Sequence, residues 1–469
     1  MKGGDTARPL NRVSDLDALF LASETPTQHL HVLATLVLDR SAIPGGGDYE
    51  LVQSRIAERF HMIEPLRQRL KRIPFGRPIW VDDPDLHLQR HLHHVVLPEG
   101  GGLEALARTA ADIASFPLPK DRPLWEAWFV EGIEKDHIAV IAKIHHCAVD
   151  GVSGIFALAA FFDVKPFPDA STQPPTWEPA APPGALEVGR AVFDGLRRRP
   201  AAVARSIKRT TSTAVALARA RGEEAPLPFS GPRLSYNRAL TARRSVAFTS
   251  VRLDDVKHVR QGLGAPVNDV LVALCAGVLR RFAIQRDELP ARHLVAGVPI
   301  SERKAEHGAA GNQLSFLLYA LPVHLPDPVE RLEFVARSAS LVKDVYAQAG
   351  EGFFASIASL VPLGALAPLM RALSAVRVAN VLPPVVNVLI SNIRGPDLPL
   401  FVAGAELTSI FPMGPLIEGV GLGITVVSYR DEVAFGFMAC ADLVPDVQEL
   451  AAGVHVEMAR MLDAVNNSG

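Results

Sequence analysis

Apolar residues recur along this chain with two periods, about 3.6 and 2, and the alternation between them marks out helices and strands. Ser14 followed by Leu16, Leu19 and Phe20 predicts a short capped helix, and HVLATLVL from His31 to Leu38 predicts a strand. Residues 49–72 read as a helix, Trp80 to Asp83 begin an extended stretch, and 102–115 read as a further helix. Arg122-Pro123-Leu124-Trp125 leads into a strand pattern that runs through Val130. HIAVIAKI, from His137 to Ile144, is almost wholly apolar and predicts a strand buried on both faces. It runs straight into His145-His146-Cys147-Ala148-Val149-Asp150-Gly151, and VSGIFALAAFF beyond it has the pattern of a buried helix.

Residues 165–184 are rich in proline and read as a linker. The stretch 186–221 is helical in pattern and strongly basic, with Asp194 the only acid between Arg190 and Arg221; APLPFSGP then ends at Pro232. The pattern restarts with a strand (SVAFTSVRL), a helix ended by Gly264, and a helix opened by Asn268-Asp269. Strands follow at 293–300 and 314–323, a helix at 329–348, and a strand VVNVLISNI. A hairpin turns at Arg430-Asp431, and a helix over 446–465 closes the chain. No short repeat is present. The expectation is a mixed α/β (α+β) protein of two domains, 1–164 and 236–469, joined by a Pro-rich and basic helical linker over 165–235. At 469 residues the chain exceeds the size at which one hydrophobic core usually divides.

Composition narrows the class. Hydrophobic residues make up 48% and charged residues 21%, which excludes wholesale disorder. A formal net charge of -2 gives no field to recruit nucleic acid, and no nucleic-acid partner is expected. Cys147, Cys275 and Cys440 form no CxxC pair and no Cys/His cluster, so neither a disulfide framework nor a metal site is expected, and the setting reads as cytoplasmic. The first twenty residues lack the apolar core of a secretory signal. No residue between Glu351 and Arg371 is charged, but Pro362, Gly364 and Pro368 interrupt that segment. It reads as a buried helix pair or a lipid-touching surface rather than a span. The basic stretch at 190–221 is either a solvated face or a surface for anionic membrane.

The candidate chemistry is HHxxxDG, from His145 to Gly151. Successive strand residues face opposite sides, so the two histidines cannot share a role. If His146 faces a channel, His145 faces the interior. A neutral imidazole, ordinarily titrating near pH 6.5, takes the proton of an alcohol that attacks a thioester. No GxSxG elbow is present, so the alcohol itself is the nucleophile. The plain alternative is a pair of satisfied core histidines. Asp150 reads as the N-cap of the following helix or a support for the loop, and Gly151 as a site of tight backbone packing. Cys147 reads as a buried, inert thiol.

HHxxxDG after a buried strand resembles the chloramphenicol acetyltransferase-like superfamily. Arg122-Pro123-Leu124-Trp125-Glu126, Val267-Asn268-Asp269-Val270 and Ser391-Asn392-Ile393-Arg394-Gly395-Pro396 resemble the PLW, ND and SNxxGP blocks of its wax ester synthase/diacylglycerol acyltransferase family. Ser14 to Phe20 and Gly311 to Ser315 resemble further blocks, in the same order. The resemblance implies two chloramphenicol acetyltransferase-like domains with an active-site channel between them. It implies catalysis centred on His146, with His145 and Asp150 completing the motif. Substrates would be acyl-CoA and either diacylglycerol or a long-chain alcohol, with triacylglycerol or wax ester as product. No cofactor is expected, since acyl-CoA is a substrate. Lipid acceptors imply peripheral association with the inner membrane or lipid droplets. Asn268 and Asp269 read either as helix caps or, for Asn268, as a donor to the oxyanion. Ser391 and Asn392 read either as turn residues or as channel lining. Trp125 reads as core. The rival readings are an acyltransferase using a carrier-protein thioester and a lipid-binding protein without turnover.

Overall fold

The computed structural model describes residues 10–43, 49–73, 77–98, 100–134, 136–149, 160–167, 177–190, 192–193, 197, 226–301, 314–349 and 363–468. The chain opens with α1 (Asp15–Ser23). Ser14 caps it as expected: its hydroxyl accepts the Asp17 N–H at 3.1 Å and donates to the Asp17 carboxylate at 2.6 Å. Strand β1 (His31–Asp39) follows, then α2 (Tyr49–Arg59). The helix expected over 49–72 is not continuous. The backbone is extended at Ile63, Pro65 sits in the first turn of a new short helix α3 (Glu64–Arg67), and β2 (Gln68–Lys71) begins at once. Proline cannot supply the N–H that would carry α2 onward. β2 pairs with β3 (Ile79–Asp82), so Trp80 to Asp82 end an extended stretch rather than begin one.

Then come β4 (Leu92–Val96), α4 (Gly102–Ala114), β5 (Trp125–Glu134) and β6 (His137–His145). Beyond the linker lie β7 (Arg244–Arg252), α5 (Leu253–Leu263), ended by Gly264 at φ 67, and α6 (Val267–Gln285). Strands β8 (Leu294–Ser301) and β9 (Leu314–Leu321) precede α7 (Pro328–Ala349) and α8 (Leu363–Ala375). The chain closes with β10 (Val388–Arg394), β11 (Phe401–Val402), β12 (Ala405–Met413), β13 (Leu422–Tyr429), β14 (Glu432–Cys440) and α9 (Gln448–Ser468).

Among the described residues the strands form two six-stranded sheets beside the β2–β3 pair. One has the order β11-β12-β1-β6-β5-β4 and the other β7-β14-β13-β10-β8-β9. The first therefore takes two strands from the second half of the chain: β12 pairs antiparallel with β1 from Leu33 to Asp39. Around α6, whose residues are buried almost throughout, the second sheet builds its own core with α5, α7 and α9. The first core reaches across the junction: Phe248 of β7 stacks on Phe411 of β12 with ring centroids 4.8 Å apart. At that junction Gly436 of β14 lies so close to β12 that a Cβ would sit 1.9 Å from the Pro412 carbonyl oxygen.

Asp150, Gly151, the helix expected after them up to residue 159, and residues 352–362 of the uncharged segment lie outside the described residues. So do residues 191, 194–196 and 198–221 of the basic stretch. Among the described residues no single helix is long and apolar enough to cross a membrane.

The close approach of β14 to β12 generates a test. Gly436→Ala should wedge the two sheets and lower stability by about 1–3 kcal/mol, as overpacking does. Urea unfolding measures this, and an unchanged midpoint would show that the sheets part freely there.

Candidate active site

β6 delivers the two histidines, and the strand's end separates them. His145, its last residue, is fully buried. Its Nδ1 accepts the Cys147 N–H at 3.1 Å, which leaves the proton on Nε2. That nitrogen faces the buried Glu24 carboxylate at 3.7 Å, and Glu24 also pairs with Lys120. Burial alone would raise the Glu24 carboxyl, but His145 and Lys120 outweigh it and hold it below the usual carboxylate range. Cys147 is buried and its thiol is pushed well up, by burial first and then by Asp17 and Glu24, as expected of an inert thiol.

His146 turns the other way. Its backbone N–H donates to the Leu30 carbonyl at 3.0 Å, its ring lies 4.7 Å from that of Phe20, and it lines a cavity of about 660 Å³ between the two sheets. Val140, Ala142 and Ile144 share its face of β6, two residues apart, and line the same cavity. Ala142 stands directly opposite Ala34 of β1 on one side and Ala127 of β5 on the other. Three small side chains in register leave a trough across the sheet. Ile56 of α2, Ile63 and Leu66 of α3 roof it. Trp125 is buried, as expected, and also walls the cavity; its Nε1 donates to the Leu66 carbonyl at 2.7 Å and so ties roof to sheet.

The second half of the chain supplies a polar wall: Asn268, Ser391, Asn392 and Thr425 all line the cavity. Asn268 and Asp269 do not cap α6. Pro266 holds the N-cap position, and both residues lie inside the first turn. The Asn392 amide donates to Asn268 Oδ1 at 3.3 Å, and the Asn268 amide donates to the Asp269 carboxylate at 3.2 Å. Asn268 is thereby oriented from both sides, which joins the ND and SN blocks in space. Asp269 is buried, and burial raises its carboxyl above the ordinary value. Among the described residues no group of three or more His, Cys, Asp or Glu side chains is placed to hold a metal ion.

Sequence reasoning missed the groups behind the motif. Glu24 and Lys120 lie in loops with no motif of their own. Lys143 had a signal, as the one charge within HIAVIAKI. It is buried, and its Nζ donates to the carbonyls of Ile113 at 2.9 Å and Phe116 at 2.6 Å, at the C-terminal end of α4. The rings of His31 and His29 reach the Ala114 carbonyl at 3.1 and 3.3 Å. Basic groups at a helix C-terminus complement its dipole and satisfy its last carbonyls.

Comparison with known proteins agrees with this architecture. The first condensation domain of the calcium-dependent antibiotic synthetase aligns over 98% of this chain and 97% of its own, with a TM-score of 0.60 at 17% identity, and so shares its fold. The wax ester synthase/diacylglycerol acyltransferase from Marinobacter aquaeolei VT8 aligns over 98% of this chain and 100% of its own, with a TM-score of 0.69 at 26% identity. Two Mycobacterium tuberculosis proteins provisionally named diacylglycerol O-acyltransferases are 34% and 33% identical over 462 and 450 residues. These matches cover 97% and 95% of this chain and 90% and 94% of the relatives. The model of the wax ester synthase/diacylglycerol acyltransferase catalytic domain matches residues 13–271, and that of the WS/DGAT C-terminal domain matches residues 310–462. The chain belongs to the wax ester synthase/diacylglycerol acyltransferase family and is an O-acyltransferase.

The buried Lys143 has a consequence for pH. Burial lowers its ammonium from 10.5 to about 8, so between these values the unfolded chain holds a proton that the folded chain has released. Stability contributed at this position therefore rises with pH across that window. Wild type should gain up to about 3 kcal/mol on Lys143→Met between pH 8 and 10.5, read from urea midpoints. A difference independent of pH would place the ammonium in water.

Proposed function

We propose that the protein moves a long-chain acyl group from acyl-CoA to the hydroxyl of diacylglycerol or a long-chain alcohol, giving triacylglycerol or wax ester, with His146 as general base. The carrying observation is that His146 lines the same cavity as the alanine trough and the polar Asn268, Ser391, Asn392 and Thr425. The acyl chain lies in the trough over Ala34, Ala142 and Ala127. Its thioester carbonyl then sits between His146 and Asn268. His146 takes the acceptor proton as the new C–O bond forms. The C–S bond breaks, and the departing thiolate of CoA receives that proton from the imidazolium. The Asn268 amide, held by Asn392 and Asp269, donates to the developing oxyanion. His145 holds the turn that presents His146, through its bond to the Cys147 N–H. Asp150 and Gly151 complete the motif in this reading. Ser391 lines the acceptor's path. The names of the mycobacterial relatives favour diacylglycerol as acceptor. Such acceptors reside in membranes and lipid droplets, so peripheral association with one of these from the cytoplasmic side belongs to this reading.

CoA release from palmitoyl-CoA with hexadecanol or diacylglycerol tests it. His146→Ala should lower turnover by about 10²- to 10⁴-fold, and Asn268→Ala by about 10²- to 10³-fold. Full activity of His146→Ala would remove it as the base; no release with either acceptor would sink the reaction. The trough makes a separate prediction. Ala142→Phe should lower kcat/KM for palmitoyl-CoA relative to octanoyl-CoA by about tenfold or more, because a few methylenes no longer fit. An unchanged ratio would place the acyl chain elsewhere.

A further inference from the structure

One face of the molecule exposes a run of large apolar side chains that fold and cavity leave unused. Leu369 of α8, then Val376, Val381, Leu382 and Val385 beyond it, point to solvent, Val381 with 81% and Val376 with 73% of their surface exposed. Phe229, also exposed, joins them through its N–H, which donates to the Val385 carbonyl at 3.1 Å. Arg233 binds the carbonyls of Asn380 and Leu382 and fixes the two segments to each other. Arg233, Arg238, Arg371 and Arg377 are exposed on these segments. The sequence holds no acidic residue from 352 to 396 or from 225 to 240. The nearby Glu418 points inward, accepting the Leu240 N–H at 3.1 Å. Glu288 lies beside the second segment, bonded to Ser235, so the acids near this face come from other elements. Apolar residues whose own segments carry cations and no acid fit an interface that is apolar beneath and anionic above.

The location adds a purpose. α8 packs along α1, which carries Phe20, a wall of the cavity beside His146. Gly419 lies against Ala379, and two residues before it Ile417 lines the same cavity. The exposed face thus adjoins one rim of the cavity.

We propose that this face, formed by α8, residues 376–385 and residues 227–233, docks on an anionic phospholipid surface and holds the cavity rim against it. An acceptor then passes from lipid to cavity with little exposure to water. That purpose rests on the lipid acceptor proposed above; the binding itself does not.

Sedimentation of the full chain with phosphatidylcholine vesicles, with and without phosphatidylglycerol, tests the docking. Wild type should sediment with phosphatidylglycerol vesicles and be released by salt. Val381→Asp combined with Leu382→Asp should abolish sedimentation, and Arg371→Gln combined with Arg377→Gln should weaken it about thirtyfold. Both variants should keep the wild-type thermal midpoint and the wild-type release of CoA with a short, water-soluble alcohol. Sedimentation of the Asp variant like wild type, or failure of wild type to bind either vesicle, overturns the assignment. So does a loss of dimer on size exclusion with vesicle binding unchanged, which would make the face a contact between copies. Wild type that binds through this face yet releases no CoA with any acceptor would uphold the surface and sink the reaction.

Discussion

Strand β12 lies against β1 from Leu33 to Asp39, and the rest of the molecule is arranged around that ladder. β1 in turn carries β6 on its other edge, with His31 opposite His145. The C-terminal half thus reaches the histidine-bearing strand through a single intermediate. Where β12 ends, the Gly414 N–H donates to the Thr425 hydroxyl at 3.0 Å, which ties the crossing strand back to β13 of its own sheet. The cavity sits where the sheets meet: the alanine trough belongs to the first, while Ser391, Asn392 and Thr425 come from the second together with apolar residues such as Val298, Ile300 and Leu389. An acyltransferase needs such a division: the chain must be desolvated while the reacting carbonyl meets fixed donors.

Behind His146 the interior is rich in buried titratable groups. Glu24, Lys120 and His145 form one group, and Lys143, His31 and His29 gather at the end of α4 as another. Burying such groups costs free energy unless each finds a partner. Here the partners are carbonyls, a carboxylate and a backbone N–H. Together they over-determine the turn 145–148, and the position of the His146 ring is inherited from that turn.

Much of this was legible in the chain. Strand alternation separated His145 from His146, and the structure buries one and brings the other to the cavity. The Ser14 cap and the hairpin at Arg430-Asp431 followed local rules that need no tertiary knowledge. Other features were hidden for physical reasons. β4 carries His93 and His94 in succession, which breaks its alternation. β12 contains Pro412, which reads against a central strand, yet its pairing with β1 continues through that residue. Asn268 and Asp269 look like caps because capping is local, whereas the bond that Asn268 accepts from Asn392 spans 124 residues. The alanine row emerges only once three strands are in register. Glu24 becomes visible only when the loop before β1 is seen against the end of β6.

The crossing of β12 also bears on how the polypeptide is made. A ribosome releases β1, β6 and β5 long before it reaches residue 413. At about 5–20 residues per second, that interval lasts on the order of ten seconds or more. Throughout it the free margin of β1, with Leu33, Leu36 and Leu38 along it, has no strand to accept or donate its hydrogen bonds. Nascent chains of this protein therefore carry a sticky, half-built sheet for most of their synthesis. A holding chaperone that shields it until translation is nearly finished suits this topology better than one acting after release.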